Sequence, residues 1–417
     1  MNLYRLELKR VCKTRMTAIL LVIALVLAVV MAYLPVTFIG WTELDASGNE
    51  VCYTGLKAIR KRQEQQVSGT ITPDVMQEAL EAYQRVYQQY DASSINDIPV
   101  EVFYKELARY QPLVNNAKEA FADPKTGMAP GVMGLTAEDM QNFYSQLPKR
   151  LESVIWLEQS GKPGYEQAQA IAQKKFDAVQ KPFTYSFGVS SDAMDYQTLL
   201  SLLLTLLCAV IAAPVFASDA QTGAQDIQLC TKNGGLRLAA AKLAAAFSIT
   251  GAAYLLCGVV WILVTNALFG WESTQTSVQW LFSVTSLLPY TVGQMEWVML
   301  VANFLIFFAE VAFVLMASVW AKNNLTALSV ALISVVAPLI VYMVVPGSFG
   351  EWLSTLLPAG GIGLSNALMY KMISFDFLYA GGHAFFQADV LLASAPVKIV
   401  LLVGLTAWGY LRKTRVA

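Results

Sequence analysis

The apolar residues of this chain are gathered into six long runs, and one long polar stretch separates the first run from the other five. A helix rises about 1.5 Å per residue, so about 20 apolar residues cross a hydrocarbon core roughly 30 Å thick. Each run is long enough to do so. The sequence therefore predicts an all-α integral membrane protein with six transmembrane helices. The predicted spans are 17–38, 196–216, 243–269, 297–320, 325–345 and 391–411.

The first run is predicted to be a retained anchor rather than a cleaved signal peptide. Its apolar stretch is longer than the usual signal-peptide core of about 7 to 15 residues, and no small-residue cleavage site follows it before Pro35. The chain would then be held in the membrane on both sides of its polar stretch, by residues 17–38 and by a five-helix region over 196–417.

The polar stretch, residues 41–195, is predicted to be a helical domain. Its apolar residues recur at the spacing of a helix. Thr72 precedes Pro73, and Thr136 precedes Asp139 by three residues, which are patterns typical of helix starts. The stretch contains a single cysteine, so no disulfide can form within it, and we expect packing of its own core to hold it together.

Lysine and arginine are distributed unevenly over the segments that join the runs. Short loops rich in cations stay in the cytoplasm, and this rule predicts that both termini are cytoplasmic and that residues 41–195 lie outside a plasma membrane. The short outer segments then carry only Lys371 and Lys398. The predicted inner cations are Arg5, Lys9, Arg10, Lys13, Arg15, Lys232, Arg237, Lys242, Lys322, Arg412, Lys413 and Arg415.

The residue content excludes several kinds of catalytic and metal site. His383 is the only histidine, so a zinc site of the His-Glu-x-x-His kind cannot form. The nearest approach to a phosphate-binding loop, at Gly161 and Lys162, has Pro163 where serine or threonine is needed. We expect no catalytic residue, no metal site and no cofactor on this chain. A net charge of −1 gives no indication of nucleic-acid binding.

Glu310 is the only ionisable residue that the sequence places deep in a span, and Asn303 lies one heptad before it on the same helix face. A charge inside a bilayer is costly, so this carboxyl should face protein or a wet cavity. Two interpretations stay open. Glu310 is either a functional site or a hydrogen-bonded residue that holds helices together.

The second span carries a strip of small side chains at Ser201, Thr205, Cys208 and Ala212, which share one helix face. Small faces let membrane helices approach each other closely. The strip predicts close helix packing, either within the chain or at a subunit interface.

Residues 346–395, between the fifth and sixth spans, are too apolar for an ordinary loop, and Gly360, Gly361 and Gly363 interrupt them. Irregular backbone is tolerated at membrane depth only where protein buries it or where it lines a cavity. We therefore predict an outer re-entrant segment of short helices over 346–395.

The inner loop, residues 217–242, is predicted to form a short amphipathic helix bounded by a glycine-containing turn, which suits docking into a groove on a soluble partner. Along it occur, in order, Asp219, Gly223, Thr231, Lys232, Gly235, Arg237 and Lys242. This order of residue types resembles the inner loop of permease subunits of ABC-2 type ATP-binding-cassette exporters. Leu236, between glycine and arginine, departs from that pattern.

The resemblance extends to residues 1–16, which resemble the basic interfacial helix of that family, and to the six-span plan with a large outer domain. It implies a permease subunit that moves a peptide, drug, lipid or ion out of the cell. A separate ATP-binding subunit would bind ATP and Mg, and a second permease subunit, identical or homologous, would complete the assembly. The loop 217–242 would couple the two kinds of subunit, with Arg237 and Lys242 meeting acidic groups of the partner or lipid phosphates.

Two other classes of function remain open. One is a membrane-anchored receptor or scaffold whose outer helical domain binds a peptide. The other is a secondary transporter with Glu310 as its proton site, although no inverted repeat of the spans is evident.

Overall fold

The structure is a computed structural model that describes residues 3–44 and 49–414. Met1 and Arg415, which belong to predicted inner segments, lie outside the described residues. The described chain is mostly helical, and six of its helices are long and apolar enough to cross a membrane, which confirms the predicted number of spans. Spans 1 to 6 are Arg15–Thr37, Ser191–Gln221, Leu236–Phe269, Val292–Trp320, Asn324–Val344 and Gln387–Lys413.

Two spans have local features that follow from their sequence. Span 2 consists of the helices Ser191–Ala212 and Pro214–Gln221, and the proline stands at the first position of the second helix, where its missing N–H does no harm. Span 5 follows the cap residue Asn323, whose side chain accepts a hydrogen bond from the backbone N–H of Thr326.

The described residues of the inserted segment, 38–190, form a set of short helices whose buried side chains belong to one apolar cluster continuous with that of the spans. Thr72 and Thr136 cap helices as expected, and Thr136 forms a reciprocal capping box with Asp139. Shorter 3₁₀ and π turns occur at Ile95–Asp97, Phe103–Leu107, Ala108–Tyr110 and Val132–Gly134. The α-helices are Leu56–Gln65, Pro73–Gln89, Val100–Val102, Gln111–Ala120, Ala137–Gln141, Phe143–Gln159 and Tyr165–Asp177.

The described residues also form three small antiparallel sheets of two strands each, which the prediction of an all-α chain missed. Two of them lie in the inserted segment, where Trp41 pairs with Tyr53 and Thr70 pairs with Thr184. β-Branched and aromatic side chains favour strands, and these strands are rich in them. The strands of these two sheets are Gly40–Leu44 with Glu50–Thr54 and Gly69–Thr70 with Thr184–Tyr185.

The segment between spans 5 and 6 contains the short helices that the sequence predicts, Gly347–Leu356 and Leu368–Ile373. It also contains a β-hairpin that the sequence does not predict, Phe377–Ala380 paired with His383–Phe386. This hairpin runs directly into the helix Gln387–Thr414, which includes span 6.

The inserted segment packs against this hairpin. The backbone N–H of Ala384 donates to Gln167 Oε1 at 3.1 Å, and Gln159 Nε2 donates to the Phe375 carbonyl at 2.8 Å. Gly164 has a φ of +96°, and a Cβ there would stand 2.7 Å from the carbonyl oxygen of Gly382. Only glycine suits both the conformation and the close approach.

The two ends of the helix bundle therefore differ. We call the end that carries the inserted segment the insert end, and the other, which carries the helix Leu3–Cys12 and the loop 222–235, the loop end. At the loop end lie a short helix, Ala224–Leu229, and the start of span 3. At the insert end, spans 3 and 4 are joined through the short helices Trp271–Gln275 and Val278–Leu281.

The strip of small side chains on span 2 packs against other helices of the same chain. Ser201, Thr205 and Cys208 are all buried, and Ser201 Oγ is hydrogen-bonded to the hydroxyl of Tyr254 on span 3. The Cys208 thiol donates to the carbonyl of Thr250, also on span 3, at 3.8 Å. This strip serves packing within the chain rather than a subunit interface.

Candidate functional site

Asp219, at the loop end of span 2, lies at the centre of a buried ion network. Arg10 Nη1, on the helix Leu3–Cys12, donates to Asp219 Oδ1 at 2.9 Å. The ammonium of Lys242, in the second turn of span 3, pairs with Asp219 Oδ2. Glu7 lies 3.1 Å from Arg10 Nε, so two carboxylates face two cations and the network carries no net charge.

Lys242 is held from several directions. Its side chain is 1% exposed, and besides Asp219 its ammonium donates to Gln228 Oε1 at 3.1 Å, on the short helix Ala224–Leu229. The ammonium also lies 5.3 Å from the ring centroid of Phe216 and 5.9 Å from that of Tyr410. The network thus joins the N-terminal helix, spans 2 and 3 and the loop helix, with the ring of Tyr410 from span 6 beside it.

This placement corrects one expectation. Lys242 does not face a partner or lipid phosphates, because Asp219 and its neighbours enclose it within the chain. A buried ammonium is tolerable only where an opposite charge and further hydrogen bonds replace water. Sequence reasoning missed Arg10 and Gln228 as members of the network, since Arg10 lies 209 residues from Asp219 along the chain.

Two glycines shape the turns on either side of the loop helix. Gly223 has a φ of +72°, and a Cβ there would meet no atom within 4 Å, so its role is the turn itself. Gly234, which sequence reasoning passed over in favour of Gly235, is the close-contact position, because a Cβ there would stand 1.7 Å from the Gln228 carbonyl oxygen. Gly235 precedes the first residue of span 3 and has room around it.

The other predicted loop residues lie on an exposed surface. Thr231 donates its hydroxyl hydrogen to the Gln228 carbonyl at 2.7 Å, and Arg237 makes one long contact, 3.4 Å, with Asn233 Oδ1. Lys232 is exposed beside them. Two large apolar side chains share this surface, Ile227 at 74% and Leu236 at 54% exposed. We call this set the loop surface, which consists of Ile227, Thr231, Lys232, Leu236 and Arg237.

Glu310 is fully buried in the second half of span 4. Ser334 Oγ, on span 5, donates to Glu310 Oε1 at 2.5 Å, and among the described residues Glu310 Oε2 has no hydrogen-bond partner. Asn303 is also buried on span 4, and no hydrogen bond joins it to Glu310 in the described part of the chain. This geometry fits a carboxyl that links two helices.

Lys398 corrects the expectation that Glu310 alone is ionisable deep in a span. It lies in the middle of span 6, inside the predicted range 391–411, so assigning it to an outer segment was wrong. Its ammonium donates to the carbonyls of Thr355 and Leu357, each at 3.0 Å. The flexible stem lets the charge reach free carbonyls at the end of the helix Gly347–Leu356, which explains how a lysine fits at this depth.

A cleft of about 790 Å³ opens on the inserted segment. Its lining includes the aromatic residues Trp41, Tyr90 and Tyr104 and is rich in carboxylates. Lys61 donates to Glu43 at 3.0 Å, and this bond is the largest cause that lowers the pKa of Glu43 below its ordinary value. Lys105 and Arg109 also line the cleft, so five carboxylates stand against two cations, and this excess of negative charge favours a ligand with positive charge and apolar surface. The five lining carboxylates are Glu43, Glu50, Glu64, Glu101 and Glu106.

Within the described residues, no group of three or more histidine, cysteine, aspartate or glutamate side chains is placed to hold a metal ion. Comparison with known proteins identifies no relative, since no protein-family model, curated protein or solved structure matches the chain. The chain's own residues and their geometry therefore carry any assignment of function.

Proposed function

We propose that this chain is the membrane-spanning permease subunit of an exporter of the ABC-2 type, driven by a separate ATP-binding subunit. In this proposal the loop end faces the cytoplasm, the inserted segment lies outside the cell, and two permease chains assemble with two ATP-binding chains. The order of residues from Asp219 to Lys242 supports the family. The observation that carries the proposal is the loop surface, because it is exposed, partly apolar and rigidly backed.

The contacts beneath the loop surface matter because a docking surface passes on a movement of its partner only if it is itself held firmly in place. Behind the loop surface, the Gln228 side chain contacts Lys242, and Lys242 pairs with Asp219. A push on the loop helix therefore reaches spans 2 and 3 and the N-terminal helix together. A partner that changes shape on ATP binding would bias these elements between two arrangements.

Photo-crosslinking tests the docking directly. A photoreactive amino acid replaces Ile227 in the full chain, and the crosslinked partner is identified by mass spectrometry. The matched control is Met128, which is apolar, 72% exposed against 74% for Ile227, and lies on the inserted segment. We expect a crosslink to an ATP-binding chain from position 227 and none from position 128. The proposal fails if neither position, or both, crosslink to an ATP-binding chain.

Native cysteines test the orientation. Cys12, Cys52 and Cys230 are exposed, whereas Cys208 and Cys257 are buried and serve as internal controls. A membrane-impermeant maleimide applied to intact cells should label Cys52 alone. After lysis it should label Cys12 and Cys230 as well. Labelling of Cys230 before lysis would reverse the proposed orientation.

A second candidate is a membrane-anchored receptor, which the acidic cleft of the inserted segment favours. In that case a cationic, partly apolar peptide would bind there without being transported. Binding of such a peptide to the purified chain, lost in Glu64→Gln with Glu101→Gln and unaccompanied by any change in partner ATP hydrolysis, would favour the receptor. Stimulated ATP hydrolysis would favour the permease.

A further inference from the structure

A separate polar cluster lies at the insert end, where spans 2, 3 and 4 meet. It consists of Gln197 in the second turn of span 2, Asn266 in the last turn of span 3 and Glu296 in the second turn of span 4. The exposed fractions of these residues are 8%, 1% and 0%, respectively. The sequence-based boundary of span 4, at Trp297, excluded Glu296 by one residue.

Hydrogen bonds fix the orientation of both amide groups. Asn266 Nδ2 donates to Glu296 Oε2 at 2.6 Å and to the Ile262 carbonyl at 2.9 Å. Gln197 Nε2 donates to the backbone carbonyl of Glu296 at 2.9 Å. Each nitrogen is therefore engaged, and each amide presents its oxygen as the remaining polar atom.

Three buried oxygens remain without a partner in the described chain. They are Gln197 Oε1, Asn266 Oδ1 and Glu296 Oε1, one from each span. All three are acceptors, and no ion pair joins the Glu296 carboxyl to a charged side chain of the described residues. A buried acceptor left unpaired costs about 1 to 3 kcal/mol, and more when it is charged. Such a cluster lacks a source of positive charge or donors.

The composition of the cluster selects among the possible occupants. One proton on Glu296 supplies one donor for three acceptors, and a water molecule brings two donors but no charge that balances the carboxylate. A cation neutralises the carboxylate and can take the amide oxygens as further ligands, since oxygen ligands are those that hard cations take. The cluster has a single carboxylate, so a monovalent cation neutralises it, whereas a divalent cation would leave a net positive charge buried among apolar side chains.

We propose that Gln197, Asn266 and Glu296 bind one monovalent metal cation, Na⁺ or K⁺, which joins spans 2, 3 and 4 at the insert end. The site lies within the two terminal turns of its helices at the insert end. The proposal does not depend on the transport function. It holds equally for a permease and for a receptor.

Radioactive binding tests the site on the unmodified protein. The full chain, purified in detergent and kept in choline chloride, is titrated with ²²Na⁺, and in parallel with ⁸⁶Rb⁺ as a probe for K⁺. We expect saturable binding of one ion per chain that unlabelled Na⁺ or K⁺ displaces and choline does not. Absence of saturable binding of both probes overturns the proposal.

Thermal unfolding of variants tests the ligands. At constant ionic strength, the wild-type melting temperature should rise saturably when Na⁺ or K⁺ replaces choline. Glu296→Gln keeps the shape of the side chain and removes its charge, so it should remain folded in choline and lose this rise. The matched control is Glu310→Gln, a buried carboxyl in the same span, which should retain the rise.

Gln197→Glu gives an independent measurement if Glu296→Gln fails to fold. It adds a second carboxylate to the cluster, so the half-saturating cation concentration should fall at least several-fold. If the cation-dependent rise in melting temperature persists in Glu296→Gln, no ion binds at this carboxyl. If the melting temperature of the wild type changes only with pH, and by the same amount in choline as in Na⁺ or K⁺, the site holds a proton. Either result overturns the proposal.

Discussion

Asp219 and Glu296 are both buried carboxylates, and they lie at opposite ends of the same helix bundle. Asp219 has a cationic partner for each of its oxygens, Arg10 and Lys242. Glu296 has one neutral amide, Asn266, on one oxygen and nothing on the other within the described chain. The chain itself supplies both counter-charges of Asp219, whereas Glu296 has no cationic partner among the described residues.

This difference in cationic partners indicates how the helices are held together at each end. At the loop end, covalently attached charges balance, so the contact between the N-terminal helix and spans 2 and 3 persists whatever the solvent contains. At the insert end, the balance depends on what the solvent supplies. We therefore expect the loop end to be rigid and the insert end to respond to its ionic surroundings, and substitutions at each end test this contrast.

Lys242→Met should have the largest effect. It leaves Asp219 buried with Arg10 alone, and breaking a buried ion pair on one side costs about 3 to 5 kcal/mol. The free energy of unfolding, measured by denaturant titration in detergent, should fall by that amount. Asp219→Asn combined with Lys242→Met removes both charges and should recover most of the loss. If the double variant is as unstable as the single one, charge balance is not what stabilises the loop end.

Asn266→Leu should have the next largest effect. It removes the donor to Glu296 Oε2, and a hydrogen bond to a charged group contributes about 1.5 to 3 kcal/mol. The neighbouring Thr265→Val is the control, because its buried hydroxyl has no partner among the described residues and its removal should cost nothing. Equal losses of stability in the two variants would contradict a specific role for the Asn266 amide.

Gly223→Val should have a smaller and local effect. A side chain at its φ of +72° costs about 1 to 2 kcal/mol, since L-residues disfavour the left-handed region. The strain displaces the loop helix without touching Asp219. We expect normal membrane levels, a weaker crosslink from position 227 and loss of transport coupled to ATP hydrolysis. An unchanged crosslink with full transport would show that the turn at Gly223 is not needed for docking.

Arg237→Glu should have the smallest effect on stability and a large one on coupling. Its only hydrogen bond to a described residue, 3.4 Å to Asn233, is long and exposed, and such surface changes stay within about 0.5 kcal/mol. The free energy of unfolding should be unchanged while substrate-stimulated ATP hydrolysis of the complex is lost. If substrate still stimulates ATP hydrolysis while the ATP-binding subunit is bound, the basic residues of the loop surface only anchor the loop at the membrane.

The spans and several helix starts were predictable because they depend on local sequence. Six apolar runs of sufficient length are visible without any knowledge of partners, and Thr136 with Asp139 forms its capping box within four consecutive residues. Gly223 was predictable for the same reason, since a left-handed turn is a local property.

The partners of the buried charges were not predictable, because they come from distant parts of the chain. Arg10 meets Asp219 across 209 residues and Asn266 meets Glu296 across 30. Glu296 was missed because a hydropathy boundary ends a span at the first charge, whereas the helix extends back to Val292 beside the short helix Trp271–Gln275. The hairpin Phe377–Phe386 was missed because its fold depends on packing against the inserted segment.

The contact between the inserted segment and that hairpin has a consequence for biosynthesis. Gln159 bonds Phe375 across 216 residues, and Gln167 bonds Ala384 across 217. At a synthesis rate of about 5 to 20 residues per second, the hairpin emerges roughly 10 to 40 s after the helices it packs on. During that time the inserted segment must be stable with one face bare, or be shielded by a chaperone, and truncation of the nascent chain before residue 375 would leave that face exposed permanently.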